Sequence, residues 1–160
     1  MTDTQSLKPD VENWKHLINQ ENAYLESRRN FATQCLNKKD IIKQALHNPT
    51  ERRTALEIFE LLNIEEQKTL FGELIRLASV GHSDIELVRQ VILSFPRQWV
   101  LENIEKNAEP VLKQGTDEEY RRLLELYLDL DKNLAQRLAR QALEQDDLDI
   151  QEVGEDFNKE

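Results

Sequence analysis

Residues 116–143 read TDEEYRRLLELYLDLDKNLAQRLARQAL, and this stretch decides the fold class. Thr116 followed three residues later by Glu119 is the pattern of a capping box at the start of a helix. Leucine and alanine then recur every three or four positions in two runs, on either side of Asp129 and Asp131. Because this spacing puts the apolar side chains on one face of each helix, the stretch predicts a helical hairpin.

The same succession of cap and turn residues recurs along the chain at a step of about 33 residues. Cap-forming residues occur at Thr50, Ser83, Thr116 and Asp149, with Asp147 as the alternative to Asp149, and turn-forming residues midway between them at Asn63, Pro96 and Asp129. Each unit therefore reads cap, helix, turn, helix, and Pro110 is expected to break the helix that follows Pro96. We predict an all-α fold, a right-handed α-solenoid of stacked helical hairpins of HEAT or TPR type. The alternative is an irregular helical bundle in which the regular spacing is a coincidence. Only some of the equivalent core positions in successive repeats carry matching apolar residues.

Before the repeats, the sequence predicts one long helix and one short helix. Apolar residues recur at three- and four-residue intervals over residues 11–36, which places them on one helical face. Glu21 and Arg28 interrupt this stripe where a coiled coil would want apolar side chains. A long helix lying along the rest of the domain is therefore favoured over a free-standing coiled coil, while a dimerisation seam stays open.

The predicted domain organisation is simple. Residues 1–9 are polar and form a disordered tail. Residues 10–157 form a single all-helical domain, with the N-terminal helices in residues 10–47 and the hairpin repeats in residues 50–157. Residues 158–160 close the acidic C-terminal end, which from Glu144 onward carries eight Asp and Glu against Lys159 alone.

Composition indicates a protein of the cytoplasm. The chain has 160 residues, 39% of them hydrophobic, which is enough for a core of its own. The single cysteine, Cys35, has no partner for an internal disulfide and suits a reducing compartment. The first ten residues lack the apolar run of a signal peptide, and no apolar stretch approaches the roughly 20 residues that a membrane span needs. We therefore expect no membrane insertion.

Charge is distributed unevenly along the chain. The formal net charge is −10, and residues 83–160 carry 10 Lys and Arg against 19 Asp and Glu, whereas residues 1–82 carry 11 against 12. An acidic field repels the phosphates of nucleic acid, so nucleic-acid binding is not expected. The acidic half is interpreted first as a solvated surface and, as the alternative, as a site for a protein partner with a basic surface.

No group of residues has the pattern of a catalytic or metal site. His16 follows Glu12 by one helical turn, but two ligands of different type are too few for a metal. Residues 129–133 begin like a calcium loop, yet Leu134 and Arg140 occupy the positions of the required glycine and glutamate. We therefore predict no catalytic, cofactor-binding or metal-binding residue, and a protein that is not an enzyme and has no cofactor.

Three tracts resemble a known class of helical repeat. They are FPRQWVL at residues 95–101, DEEYRRLLELY at residues 117–127 and DIQEVGEDF at residues 149–157. They are similar to the HEAT-like repeats in the C-terminal regions of bacterial signal-transduction ATPases of the NACHT type. The resemblance implies a sensor or interaction array whose ATPase is a separate domain. This chain has no Gly-rich Lys-Ser/Thr loop, so no nucleotide activity carries over, and residues 11–46 lie outside the likeness.

The repeat pattern leads to a functional hypothesis, a non-enzymatic protein-interaction or regulatory adaptor module. Tryptophan, tyrosine and arginine dominate binding hot spots, and large side chains of these types are the candidate partner-binding residues. They are Trp99, Tyr120, Arg121, Arg122 and Tyr127, with a core position as the favoured alternative for Trp99. The alternatives are a metal-binding or enzyme-accessory helical bundle and a self-associating structural module built on residues 14–36. The sequence allows a monomer or a homodimer.

Overall fold

The computed structural model describes residues 7–158, and this part of the chain is all-helical. It contains ten α-helices and one 3-10 turn, and no β-strand occurs within it. The helices are α1 (Leu7–Gln34), α2 (Lys38–Leu46), α3 (Arg52–Glu57), α4 (Ile64–Thr69), α5 (Phe71–Ala78), α6 (Ile85–Ser94), α7 (Arg97–Lys113), α8 (Asp117–Leu130), α9 (Lys132–Leu143) and α10 (Leu148–Phe157). The all-α prediction is confirmed.

The chain divides into two compact units, Met1–Ile41 and Ile42–Glu160, and the division falls inside α2. In the first unit α1 begins at Leu7, within the stretch predicted as a tail, and accommodates Pro9 because the N–H groups of a first turn need no helical partner. The tail prediction for residues 1–6 and the acidic-end prediction for residues 159–160 concern positions outside the described residues. None of the helices in residues 7–158 is long and apolar enough to span a bilayer.

The long N-terminal helix was expected over residues 11–36 and is observed as α1, Leu7–Gln34, with no buried residue. Its C-terminal carbonyls are bound by Lys38, whose Nζ lies 3.1 Å from the oxygen of Ala32 and 3.3 Å from that of Cys35. A basic side chain at this end of a helix satisfies free carbonyls and complements the helix dipole. The apolar stripe of α1 is exposed at Trp14, Leu17 and Leu25 and partly buried at Phe31 and Ala32, and the helix end is closed locally.

The second unit has a continuous apolar core. Its helices contact one another in succession, with α5 against α6 and α7, α8 against α9, and α10 against both α8 and α9. The largest fully buried side chains include Phe71, Leu74, Ile92, Leu124 and Tyr127. Each of these helices buries one face, as the three- and four-residue spacing predicts.

The first hairpin departs from the predicted two helices. The first helix is divided into α3 and a 3-10 turn, Phe59–Leu61, and the second into α4 and α5, with a break at Leu70. Phe59 and Leu70 are both buried, so the breaks turn additional apolar side chains into the core. Burial of these residues outweighs the helical hydrogen bonds that an unbroken helix would add.

Two residues of the repeat register cap helices through complete capping boxes. Asn63 accepts the Glu66 N–H at 2.9 Å and its own N–H donates to the Glu66 carboxylate at 3.1 Å. At α8, the Glu119 carboxylate accepts the Thr116 N–H at 2.7 Å and the Thr116 hydroxyl at 2.8 Å. Burial opposes ionisation of Glu119, but these bonds favour it more, and the pKa of Glu119 lies below its usual value of 4.5.

The cap predictions for Thr50 and Ser83 are wrong. The Thr50 hydroxyl bonds the side chain of Asn48 at 2.9 Å, and α3 begins after it without a side-chain cap. At Ser83, the turn is held instead by His82, whose Nδ1 accepts the Asp84 N–H at 3.1 Å and whose Nε2 lies 2.9 Å from the Leu77 oxygen. In both cases a neighbouring side chain holds the turn, and the hydroxyl predicted as the cap is not needed.

Two further cap positions shift. Asp129 lies inside α8, and Asp131 caps α9 by accepting the Leu134 N–H at 2.9 Å. Asp149 lies in the first turn of α10, and the capping carboxylate belongs to Asp147, the alternative residue for this cap. A capping side chain accepts the N–H two or three residues ahead of it, so a carboxylate displaced by two residues cannot replace it.

Pro96 and Pro110 behave differently from each other. Pro96 immediately precedes α7, close to the predicted helix start. Pro110 was expected to break this helix, but α7 continues through it to Lys113. The proline stands in the last turn, where it removes one backbone hydrogen bond and the helix ends soon afterwards. The predicted break is therefore wrong.

Helix starts in the second unit recur at nearly constant intervals. Helices α3, α6, α8 and α10 begin at intervals of 33, 32 and 31 residues, and α4, α7 and α9 at intervals of 33 and 35. Side-chain bonds join residues with similar separations. Arg97 donates to the Leu130 oxygen 33 positions away, Arg137 to Glu105 32 positions away and Arg121 to Asp156 35 positions away.

Candidate functional site: a cleft between α7 and α9

A cleft of about 650 Å³ lies between α7, α8 and α9 in the second unit. Its buried lining consists of Tyr120 and Tyr127 from α8 with Leu134 and Leu138 from α9. Its exposed rim carries the polar side chains Glu105, Lys106, Glu109, Lys113, Gln141 and Glu144. An apolar interior edged by polar groups is the usual composition of a binding cleft in a protein.

The two tyrosines reach the cleft because of their spacing on α8. They are separated by two helical turns, so their side chains lie on the same face of the helix. Tyr120 is 5% exposed and Tyr127 is 1% exposed. Both were candidate partner-binding residues, and the structure buries them as part of the cleft wall.

The hydroxyls of these tyrosines lack a partner within residues 7–158, since no hydrogen bond joins either of them to another group in this part of the chain. The fully enclosed polar side-chain atoms without a hydrogen bond are Glu73 Oε2 and Arg89 Nε, so the tyrosine hydroxyls keep access to the cleft. A buried tyrosine normally bonds through its hydroxyl, and here that capacity is left for water or a ligand.

Both hydroxyls are held in the protonated state. Burial raises the pKa of Tyr120, and it raises the pKa of Tyr127 further, with a contribution from the negative charge of Glu105 and an opposing one from Arg137. A neutral hydroxyl can both donate and accept a hydrogen bond. The cleft thus presents two adaptable polar groups on an apolar wall.

The rim is bridged by an ion pair. Arg137 of α9 donates to Glu105 of α7 from Nε at 3.0 Å and also from a terminal nitrogen, and Glu105 raises the pKa of Arg137. Both side chains are about half exposed, so the pair is screened by solvent and can open at little cost.

The other predicted partner-binding residues lie away from the cleft. Trp99 is partly buried and packs edge-on against Phe71 at 4.9 Å and in a stacked geometry on Phe95 at 5.5 Å. Arg121 bonds Asp156 at 2.9 Å. Arg122 lies 3.3 Å from Glu125. The structure therefore brings together Tyr120 and Tyr127 from the predicted set and leaves the other three elsewhere.

No protein family, curated protein or solved structure matches the chain. The resemblance to NACHT-associated repeats stays a prediction. So does the metal-binding alternative, although within residues 7–158 no group of three or more His, Cys, Asp or Glu side chains is placed to hold a metal ion.

Sequence reasoning missed the α7 and α9 residues of the cleft. Leu134 and Leu138 belong to the apolar face of α9 and were assigned to the core alone. Their spacing shows which face is apolar, but whether that face is covered depends on the distance between α7 and α9. That distance is a tertiary property and leaves no signal in the spacing of either helix.

Proposed function

We propose that this chain is a non-enzymatic protein-interaction module that binds a segment of a partner protein in the cleft between α7 and α9. The observation that carries the proposal is the pair of buried tyrosines, Tyr120 and Tyr127, whose hydroxyls open into the cleft without a protein partner among residues 7–158. Tyrosine offers a large rigid contact area together with a hydrogen bond, which is why it is frequent at binding hot spots.

The proposed partner segment is basic. On the rim, the carboxylates of Glu105, Glu109 and Glu144 are balanced by Lys106, Lys113 and by Arg137, which pairs with Glu105. The chain as a whole, however, has a net charge of −10. A segment with lysine or arginine beside apolar residues would match both the acidic charge of the chain and the leucines of the lining. We place this module in the cytoplasm, as its single free cysteine favours a reducing compartment.

We propose that the helices that form this site belong to an α-solenoid of stacked hairpins with a step of about 33 residues. Two observations support it, the helix starts at intervals of 31 to 35 residues and the side-chain bonds between residues 32 to 35 positions apart. In such an array the second helices of successive units, here α7 and α9, lie on one surface, where solenoids bind their partners.

Selection from a displayed library of random peptides against the full chain tests the proposal. We expect the selected peptides to be enriched in basic residues and to lose about fivefold or more in affinity for Tyr127→Phe, which removes one hydroxyl and keeps the ring. Charge reversal by Glu109→Lys should weaken the same peptides, and the loss should shrink as salt is added. Affinities are measured by fluorescence anisotropy.

Tyr24→Phe is the matched control, since it removes a tyrosine hydroxyl from α1, outside the cleft. Peptides that bind both tyrosine variants as well as the parent protein would contradict the proposed site. A library that yields no peptide whose affinity depends on Tyr127 or Glu109 would contradict the proposed function.

A further inference from the structure

Helix α1 exposes an apolar face, and the proposed binding cleft in the second unit does not involve it. Its 28 residues include no buried side chain. Trp14 is 61% exposed, Leu17 57% and Leu25 46%. Helices in proteins gain most of their stability by burying an apolar face, and a contiguous exposed face of this kind marks an interaction site.

The stripe on α1 has a defined centre line. Trp14, Glu21 and Arg28 follow one another at intervals of one heptad and occupy its middle, and Cys35 continues this interval just past the end of the helix. Apolar residues flank this line on both sides at the intervening turns, where Leu17 and Ile18, Tyr24 and Leu25, and Phe31 and Ala32 are adjacent pairs. Glu21 and Arg28 are thus opposite charges inside an otherwise apolar seam.

We propose that α1 pairs antiparallel with α1 of a second copy of this chain, with the twofold axis between Tyr24 and Leu25. In this register Glu21 of each copy faces Arg28 of the other. The twofold axis therefore generates two Glu21–Arg28 pairs of opposite charge. The five N–H donors of an arginine allow Arg28 to bind this carboxylate alongside other acceptors.

Other registers put like charges together. A parallel pair in register places Glu21 against Glu21 and Arg28 against Arg28. An antiparallel pair shifted by one heptad in either direction places one of these residues against its own copy. Like charges in a desolvated seam cost several kcal/mol, so charge selects the antiparallel register centred between Tyr24 and Leu25.

The apolar layers fit the same register. Trp14 faces Cys35, and Leu17 faces Ala32, so a large side chain meets a small one in each layer. Alternation of large and small side chains lets two helices interdigitate. Ile18 faces Phe31, which adds a layer of two apolar side chains. In this register residues 15–34 of the two helices overlap, and at 1.5 Å per residue these 20 residues give a seam about 30 Å long.

The positions beside the seam add no repulsion. Lys15 faces Gln34 and Arg29 faces Gln20 in the antiparallel pair. An amide can accept a hydrogen bond from either cation. The flanks therefore permit the register that the central charges select.

Charge reversal in the full chain tests this inference by sedimentation equilibrium. We expect the parent protein to be a dimer, Glu21→Arg and Arg28→Glu each to raise the dimer dissociation constant by about tenfold or more, and the double variant to restore dimerisation. Glu26→Arg makes the same charge change on the opposite face of α1 and should leave the dimer unchanged. Circular dichroism of each variant checks that α1 stays helical.

Disulfide trapping tests the register independently of charge. Oxidation of the Trp14→Cys variant should link the introduced thiol of one copy to the native Cys35 of the other. Two positions 21 residues apart along a helix are too distant to bond within one chain, so the link must join two copies. Glu12→Cys, on the far face, should give no such dimer.

A parent protein that stays monomeric at its highest soluble concentration would overturn the inference and leave the stripe to a different occupant. A dimer that Glu21→Arg does not weaken would overturn the register. Neither outcome bears on the cleft, whose peptide binding is tested by substitutions at Tyr127 in α8 and Glu109 in α7.

Discussion

Gly154 lies where α10 approaches α9 too closely for a side chain. A Cβ at this position would be 2.8 Å from the backbone oxygen of Ala139 and 2.9 Å from the backbone nitrogen of Leu143. Because these are backbone atoms of a neighbouring helix, they cannot move aside as a flexible side chain does. The glycine is therefore required by packing, and no positive φ among the described glycines contributes to the requirement.

Gly154→Ala is expected to lower the free energy of unfolding by about 1–3 kcal/mol, the range for overpacking of a tight contact. Gly72→Ala is the control, since its Cβ would meet the movable side chain of Asn107 at 3.2 Å. We expect Gly72→Ala to lie within about 0.5 kcal/mol of the parent, because alanine also favours the helix. Urea unfolding followed by circular dichroism measures both. Equal effects of the two substitutions would show that the close approach at Gly154 is not rigid.

At the scale of elements, the helix starts depend on which polar side chain actually meets the free N–H groups. Thr50, Ser83 and Thr116 are equivalent in the repeat register, yet only Thr116 forms a capping box. Residue type alone identifies all three as caps. The local backbone decides, because the side chain must reach an N–H two or three residues ahead.

Thr116→Ala is expected to cost about 1 kcal/mol of stability, the usual loss for a capping hydroxyl, and Ser83→Ala less than about 0.5 kcal/mol. Both are measured by the midpoint of urea unfolding at neutral pH. A larger effect at Ser83 than at Thr116 would contradict the assignment of caps.

The capping box also predicts a pH dependence. The pKa of Glu119 is lowered in the folded state, so its contribution to stability is present above the unfolded value near 4.5 and is lost as the pH falls through the lower folded value. Glu119→Gln should flatten the stability curve in that acidic range, relative to the parent. An unchanged slope would show that the two bonds from Thr116 do not favour the ionised carboxylate.

At the scale of the whole molecule, ion pairs join helices of successive hairpins, and these pairs differ in how exposed their side chains are. Arg89 of α6 is only 11% exposed and bonds Glu125 of α8 at 2.5 Å. Arg137 and Glu105 join α9 to α7, but both are about half exposed. The partly buried pair stabilises the arrangement of its helices, whereas the exposed pair is screened.

Arg89→Met is expected to lower the free energy of unfolding by about 1–2 kcal/mol, because it leaves the partly buried carboxylate of Glu125 with fewer charged donors. Arg137→Met removes a guanidinium of similar length from the exposed pair and should cost under about 1 kcal/mol. Chemical unfolding in low and high salt measures both. If Arg137→Met proved the costlier substitution, burial would not be what decides the strength of these pairs.

Much of the helix content followed from local pattern. The spacing of apolar residues predicted α1, the hairpin of α8 and α9, and the capping box of Thr116 and Glu119, because these features involve residues within a few turns of one another. The breaks after α3 and α4 were not predicted, since they depend on Phe59 and Leu70 finding a place in the core. Pro110 was misread because a proline near a helix end is tolerated.

By itself, then, the sequence determined where helices form and which faces are apolar, since periodicity and propensity act over a few residues. Only the tertiary structure decided which of these faces are covered. Tyr120 and Tyr127 are recognisable as aromatic residues on one face of α8, but their burial beside an open cleft depends on where α7 and α9 stand. Likewise, the stripe of α1 is visible in the sequence, and its exposure is a fact of three-dimensional packing. The physical reason is that covering a face requires contacts between residues far apart in the chain, which no local pattern specifies.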